Sequence, residues 1–301
     1  MFTILAPRLR KKWAVRLREL SISIHLLRRS LLSLVGIALI IFFIFITVAG
    51  PFISPYDPYE PNKEYMLKPP SMKHLCGTDD LGRDIFSRIL HGAKYSLETG
   101  VVVLSITVTI GLLVGLISGF FRGVIDELIM RVTDIFLAFP SFLFAMAVAA
   151  ALGPSLVNVM IALSFVMWPK YARLVRGQVL SIREAPFVEA ARSITTSNWH
   201  IIQRHILPNC LAPVIITMTL DMGQVILTAA GLSFVGMGAQ PPLPEWGAIV
   251  SAGRSFIFGY WWYSTFPGIF ILLVVLGFNL LGDGLRDILD PRLRRLLEEV
   301  K

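Results

Sequence analysis

Six long apolar runs, separated by short polar stretches, dominate the hydropathy pattern. They are Leu31–Gly50, Leu97–Phe120, Ile135–Leu152, Leu156–Trp168 (extending to about Leu174), Pro213–Met237 and Thr265–Leu281. A helix needs roughly 20 mostly apolar residues to cross a bilayer, so the pattern predicts an all-α integral membrane protein with six transmembrane helices. The third and fourth runs are parted only by Gly153-Pro154-Ser155. Gly-Pro marks a tight turn and argues against one long helix there.

Composition sharpens this class. The 301 residues are 55% hydrophobic and 16% charged, with mean hydropathy +0.69. Soluble domains carry about 25% charged residues. Two Cys and 23 aperiodic Gly exclude disulfide-rich and collagen-like classes. The first run is read as a span: it is longer than a signal-peptide core and follows an unusually long basic segment.

Charge sets the expected orientation. The segment before the first span holds Arg8, Arg10, Lys11, Lys12, Arg16, Arg18, Arg28 and Arg29. Placing it in the cytoplasm puts 21 of the 28 Lys and Arg inside, as the positive-inside rule requires. Both termini are therefore expected in the cytoplasm of a multi-pass inner-membrane protein. The net charge of +8 lies mainly in this arm. It suits anionic lipid rather than nucleic acid. Leu9, Trp13, Leu17, Leu20, Ile24 and Leu27 give the arm one apolar helical face for the membrane surface.

The expected organisation is a basic arm (1–30), a first span (31–50), an extracytoplasmic loop (51–96), a five-helix core (97–282) and a cytoplasmic tail (283–301). A cytoplasmic loop (178–212) lies within the core. In the tail, Asp290 can cap a helix with Pro291 in its first turn and Leu293, Leu296, Leu297 and Val300 on one face.

Several polar or small residues stand out. Gly111, Gly115 and Gly119 form two overlapping GxxxG motifs, which predict close helix packing. The partner is either another span of this chain or a second subunit. Asp221 lies in the fifth span, with Gln224 one turn on. An ionisable residue there faces protein or water, so it is either a pathway or gate residue or a carboxylate reaching water at the inner boundary. Asn279 is a weaker pathway candidate. In the outer loop, prolines favour extended structure. Thr78 is a candidate N-cap, with Asp79 and Asp80 in the first turn of a short surface helix. Asp79, Asp80 and Asp84 lack calcium-loop spacing and read as solvated capping charges, so no metal site is expected.

Chemistry-bearing motifs are absent. The chain has no Gly-Lys dipeptide, hence no P-loop, and neither HExxH nor GxSxG. Cys76 and Cys210 fall on opposite sides of the membrane and cannot pair. One intramembrane aspartate does not make a protease. No enzyme is indicated and no cofactor is expected on this chain.

The stretch EAPFVEAARSITTSNWHIIQRHILPN, from Glu184 to Asn209, is polar and lies in the cytoplasmic loop. Phe187, Val188, Ala191 and Ile194 share a helical face. Thr196 or Ser197 can cap a second helix through Ile206, which Pro208 helps to terminate. An exposed, partly apolar helix–turn–helix of this kind rests on lipid or docks in a groove of another protein.

Here the chain resembles a known family. EAA at Glu189-Ala190-Ala191 and ILP at Ile206-Leu207-Pro208 are similar to the EAA loop of ABC importer permeases. GTDDLGRDIFSRILHGAKYSL, FRGVIDELIMRVTDIFLAFPSFL, GLSFVGMG, PEWGAIVSAGR and FPGIFILLVVLGFNLLGDGLRDILDPRLR resemble the branch carrying dipeptides, oligopeptides and nickel, in its second permease subunit (the DppC/OppC type). The resemblance spans about residues 28–295.

It implies a transmembrane permease subunit of an ATP-driven, binding-protein-dependent importer. Peptides are the leading cargo, and nickel chelates or oligosaccharides the alternatives. Glu189, Ala190, Ala191, Thr195, Thr196, Ser197, Leu207 and Pro208 would form the loop that couples to the ATPase. Gly77, Thr78, Asp79, Gly82, Arg83 and Asp84 would form an outer-loop motif. The implied partners are a homologous permease in a heterodimer, two ATP-binding subunits holding ATP and Mg, an external substrate-binding protein and membrane lipid.

Two departures matter. Thr195 stands where the family usually has Gly, which adopts positive φ at little cost. Thr228 stands where this branch commonly has Glu, so no role of that Glu carries over. From the residues alone, a passive channel or a membrane scaffold is the competing class, and an intramembrane enzyme depending on Asp221 is a third.

Overall fold

The computed structural model describes residues 30–194 and 197–289. Residues 1–29 of the basic arm, residues 290–301 of the tail, Thr195 and Thr196 lie outside the described residues, while 283–289, expected in the tail, continue the last helix. Among the described residues the fold is helical, with no strand and one isolated bridge, Thr78 to Asp84. The helices are α1 (Leu31–Ile53), α2 (Ile85–Phe121), α3 (Gly123–Ala138), α4 (Ser141–Leu152), α5 (Leu156–Ile182), α6 (Pro186–Ser193), α7 (Asn198–Phe234), α8 (Trp246–Gly253) and α9 (Trp262–Leu289).

Four of these, α1, α2, α7 and α9, are long and apolar enough to cross a membrane, and the α3–α4 pair makes a fifth if counted as one span. The predicted fourth span falls within α5. That helix has the length, but Lys170, Arg173 and Arg176 interrupt its apolar run.

α2 is the central strut. It packs most extensively along α5 and also touches α1, α3, α7 and α9. Its 37 residues rise about 55 Å, well beyond a hydrocarbon layer of about 30 Å. The apolar run Leu97–Phe120 fills the C-terminal part of the helix, so its N-terminal end stands clear of the apolar layer and can carry other structure.

Four sequence expectations are corrected. The short surface helix before the second span is not separate: it is the first part of α2, whose N-cap is Asp84, not Thr78. Asp84 Oδ2 accepts from the Ser87 backbone N–H at 2.7 Å. Second, the third span is bent by 91° between α3 and α4. Phe139 precedes Pro140 and is extended, with φ −91° and ψ 141°, because the proline ring disfavours helical geometry in the residue before it.

Third, Pro208 does not end a helix. The segment after Ser197 runs unbroken into the fifth span. A π-helical stretch, Ile202–Ile206, precedes the proline, and Leu207 N–H bonds to the Ile202 carbonyl. Widening the turn here lets the helix absorb a residue that has no N–H to donate. Fourth, Asp79 and Asp84 are buried rather than solvated.

The turn between α4 and α5 forms as expected. Gly153 takes φ +90°, and Asn158 Nδ2 donates to the Leu152 and Gly153 carbonyls, each at 2.9 Å.

Candidate functional site

The EAA segment is two helices held by one apolar seam. Pro186 starts α6 at a position needing no N–H. Ser197 caps α7, accepting from the His200 N–H at 3.4 Å. Val188 and Ala191 of α6 are buried, as are Ile201, Ile202, Ile206 and Cys210 along α7. Glu189, Ala190 and Pro208 are exposed and Leu207 is half-buried. Three large apolar side chains are left in solvent: Phe187, Ile194 and Trp199 are 47%, 76% and 64% exposed. Burying one such side chain yields roughly 1.5–3 kcal/mol, so these side chains gain from cover by lipid or by another protein.

Residues that the sequence did not single out tie this element to the bundle. Arg183, following α5, donates Nη1 to the Phe120 carbonyl at 2.7 Å and to the Gly119 carbonyl at 3.3 Å. These carbonyls end α2, where helical partners run out. Glu184 accepts from Arg122 Nη2 at 2.8 Å. Arg122 holds the break between α2 and α3 at φ +55°, a conformation uncommon outside glycine. Asp126 of α3 takes Arg176 in two bonds of 2.6 Å and is also bonded to Ser118. The Arg192 guanidinium sits 5.8 Å from the Phe120 ring centre. The ends of α2 and α5 and the start of α6 are thus tied together by hydrogen bonds.

Gly111, Gly115 and Gly119 face α5, so the packing partner is within the chain. A Cβ on Gly115 would stand 2.6 Å from the Ala172 carbonyl oxygen and 2.7 Å from Val175 Cβ. One on Gly119 would stand 2.7 Å from Val179 Cβ, and one on Gly111 2.9 Å from the Trp168 oxygen. Only hydrogen at these positions permits the α2–α5 approach.

Asp221 is buried, and it is paired. Lys170 Nζ lies 2.6 and 2.9 Å from its two carboxylate oxygens, and Tyr171 donates its hydroxyl at 3.0 Å. Gln224 is exposed and reaches Thr228 instead. Asn279 is exposed on α9 and shares no hydrogen bond with Asp221 among the described residues. The three pathway candidates are therefore not one cluster.

At the far end of α2, the segment between α1 and α2 folds into a cap. Asp79 Oδ1 accepts from the Leu81 and Arg83 backbone N–H groups at 2.9 and 2.8 Å. Its Oδ2 accepts from Arg83 Nε at 2.7 Å, and Arg88 Nε approaches to 3.6 Å. Asp84 Oδ1 meets His74 Nδ1 at 2.9 Å. The hydroxyl of Tyr263 on α9 donates to Asp80 at 2.8 Å, and Trp262 Nε1 donates to the Thr78 carbonyl at 3.3 Å. Gly77 takes φ +74° and Gly82 φ +77°; a side chain on Gly77 would strike Trp262. Burial, with the Asp84 charge adding to it, pushes the Cys76 thiol up to about 12. Nearby, Glu245 caps α8 through the Gly247 and Ala248 N–H groups, both at 2.9 Å, and accepts from Ser96 Oγ at 3.3 Å. No metal-ligand cluster occurs among the described residues.

The family profile described as "Binding-protein-dependent transport system inner membrane component" matches residues 111–295, which include the EAA segment, the glycine stripe and Asp221. This chain belongs to that family of ABC transport permeases. A second profile, "N-terminal TM domain of oligopeptide transport permease C", matches residues 21–70.

The permease is 46% identical over 269 residues to a probable D,D-dipeptide transport permease, DdpC, of Escherichia coli, covering 89% of this chain and 90% of that protein. It is 48% identical over 268 residues to the dipeptide transport permease DppC of Alkalihalophilus pseudofirmus, covering 89% and 88%. It is 45% identical over 225 residues to the glutathione transport permease GsiD of Pectobacterium atrosepticum, covering 75% of each. In fold it is similar to a structure of the MetNI methionine ABC transporter, with TM-score 0.55, 19% identity, and 67% of this chain and 96% of that chain covered. A crystal structure of an amino acid ABC transporter gives TM-score 0.52 at 15% identity, covering 69% and 94%. The permease is thus a dipeptide-permease-like, multi-pass membrane component of a binding-protein-dependent system.

Proposed function

We propose that this permease imports dipeptides or oligopeptides, with α6 and the start of α7 docked in a cleft of a separate ATP-binding subunit. The observation carrying this reading is the exposed trio Phe187, Ile194 and Trp199 on a helix pair fused to the transmembrane bundle. Displacing that pair displaces α7 directly, because Asn198–Phe234 is one continuous helix. It also displaces the ends of α2 and α5 through Arg183 and Glu184.

In the assembly we envisage, both termini are cytoplasmic. A homologous permease completes a heterodimer around the path. Two ATP-binding subunits hold ATP and Mg and perform the hydrolysis, and this chain performs no catalysis. An external substrate-binding protein delivers cargo near the α1–α2 cap. Peptide cargo is favoured over nickel chelates or oligosaccharides because the relatives cited above are named for peptides.

The test uses the reconstituted complex carrying Glu189→Lys or Ala190→Asp. Both positions are exposed, unlike Ala191, which sits in the seam. Each change should abolish ATP-dependent uptake and the stimulation of ATPase by loaded binding protein. If both activities survive, the docking role is wrong. Uptake indifferent to ATP would instead identify a passive channel.

A further inference from the structure

α7 carries a polar stripe through an otherwise apolar span. Thr217, Asp221, Gln224 and Thr228 recur at spacings of 4, 3 and 4. At 3.6 residues per turn all four fall within about 60° of one another, over roughly 16 Å of helix. Thr228 Oγ1 donates to the Gln224 carbonyl at 2.6 Å, and Gln224 Nε2 lies 3.3 Å from Thr228 Oγ1. Gln224 is exposed. On a different face, α7 exposes Leu211 and Ile215, and Thr219 there returns its hydroxyl to the Ile215 carbonyl.

The two exposed faces ask for different surroundings. Leu211 and Ile215 suit lipid. An amide and a half-exposed ammonium at membrane depth do not, because charge facing hydrocarbon costs several kcal/mol. The Thr217 end of the stripe opens on a cavity of about 390 Å³ lined by Leu137, Lys170, Arg173, Leu174 and Thr217. Lys170 is 51% exposed, although Asp221 is nearly fully buried. An ammonium has three N–H donors, and two of them go to the Asp221 oxygens. No further partner takes the third among the described residues. Arg173, by contrast, is paired to Asp134.

We propose that this stripe lines the water-filled translocation path, and that Lys170, anchored by Asp221, is a transit site for the carboxylate of a passing peptide. The inference rests on the transport reading above. The chemistry suits transit rather than storage. Asp221 neutralises Lys170 overall, so a carboxylate gains one charge-assisted hydrogen bond without meeting an uncompensated cation. Cargo must bind well enough to enter and weakly enough to leave. Gln224 and Thr228 supply an amide and a hydroxyl for the peptide backbone.

The experiment uses the full transporter in proteoliposomes, with its ATPase and binding-protein partners. Single cysteines are placed by Gln224→Cys, Thr228→Cys and Ile215→Cys and treated with a sulfonate-bearing methanethiosulfonate reagent, which reacts with thiols in water. Cysteines at 224 and 228 should label during turnover and be protected by saturating dipeptide, while one at 215 stays unreacted. Labelling at 224 and 228 no faster than at 215 overturns the path assignment.

For Lys170, the paired change Lys170→Gln with Asp221→Asn keeps a neutral, hydrogen-bonded couple in place. The ratio of uptake of a dipeptide to that of its C-terminal amide is compared between wild type and variant. The same binding protein serves both, so its own preference cancels. The ratio should fall about tenfold, the size of one charge-assisted hydrogen bond, and Lys170→Arg should restore it in part. A ratio unchanged within about twofold overturns the carboxylate site. If wild type itself shows no ATP-dependent uptake, the transport reading fails instead, a result distinct from either.

Discussion

Asp79→Ala removes the carboxylate at the centre of the cap between α1 and α2. Asp79 is fully buried and accepts three hydrogen bonds of 2.7–2.9 Å from Leu81 and Arg83. Its removal leaves two guanidiniums, on Arg83 and Arg88, with side chains only 8% and 7% exposed. Arg88 would keep its bond to the Pro58 carbonyl at 2.9 Å, and Arg83 would lose its carboxylate partner.

Breaking a buried ion pair from one side costs about 3–5 kcal/mol, because a charge stays behind without compensation. At the lower figure, the open form of the cap gains roughly 150-fold. Lys63, Lys68 and Lys73 all lie in this segment, so limited trypsin digestion of the purified protein reads the opening directly. The variant should be cut about 100-fold faster, with hydrogen exchange rising over residues 55–84. Asp57→Asn, at an exposed position, is the control. Cleavage of Asp79→Ala within about threefold of wild type would refute the claim that this carboxylate holds the cap.

Two further outcomes follow from packing and burial. Gly115→Leu should prevent recovery of assembled protein on size exclusion, because its Cβ meets a backbone carbonyl that cannot rotate away; Gly177→Ala on α5, with open space around it, should be tolerated. Cys76 should resist N-ethylmaleimide at pH 8 and react once the protein is denatured. Its thiol binds its proton more tightly folded than unfolded, so its contribution to stability is intact below pH 9 and is lost as pH rises toward 12. Labelling at the rate of an exposed cysteine would contradict this.

What the sequence revealed was local. Gly153-Pro154 announced its turn, and the GxxxG spacing announced close packing, because both are rules about neighbouring residues. Pro140 carried a legible signal too: Phe139 is extended because proline follows it. Pro208 misled for the opposite reason, since a π turn next to it satisfies the backbone that a proline ordinarily breaks.

The polar interior was hidden, because its partners are remote in the chain. Asp221 meets Lys170 across 51 residues, and Asp80 meets Tyr263 across 183. No periodicity within one element specifies the register between two helices. Acidic residues near a helix start look like solvated caps until Arg83, Arg88 and α9 close over them.

The junction of Arg183, Glu184, Arg122 and Asp126 has a practical corollary for exchanging parts between related permeases. A graft restricted to α6 and the start of α7 would bring a foreign exposed face but leave its footing behind. Arg183 and Glu184 precede α6 and would stay behind, so the foreign helix pair would rest on whatever residues the host carries at those positions and at Arg122. The smallest transplantable unit is therefore discontinuous in sequence: the segment from Ser118 to Asp126 travels with the segment from Arg176 to Arg192. On the docking proposed above, specificity for an ATPase partner would be modular only when both pieces move together.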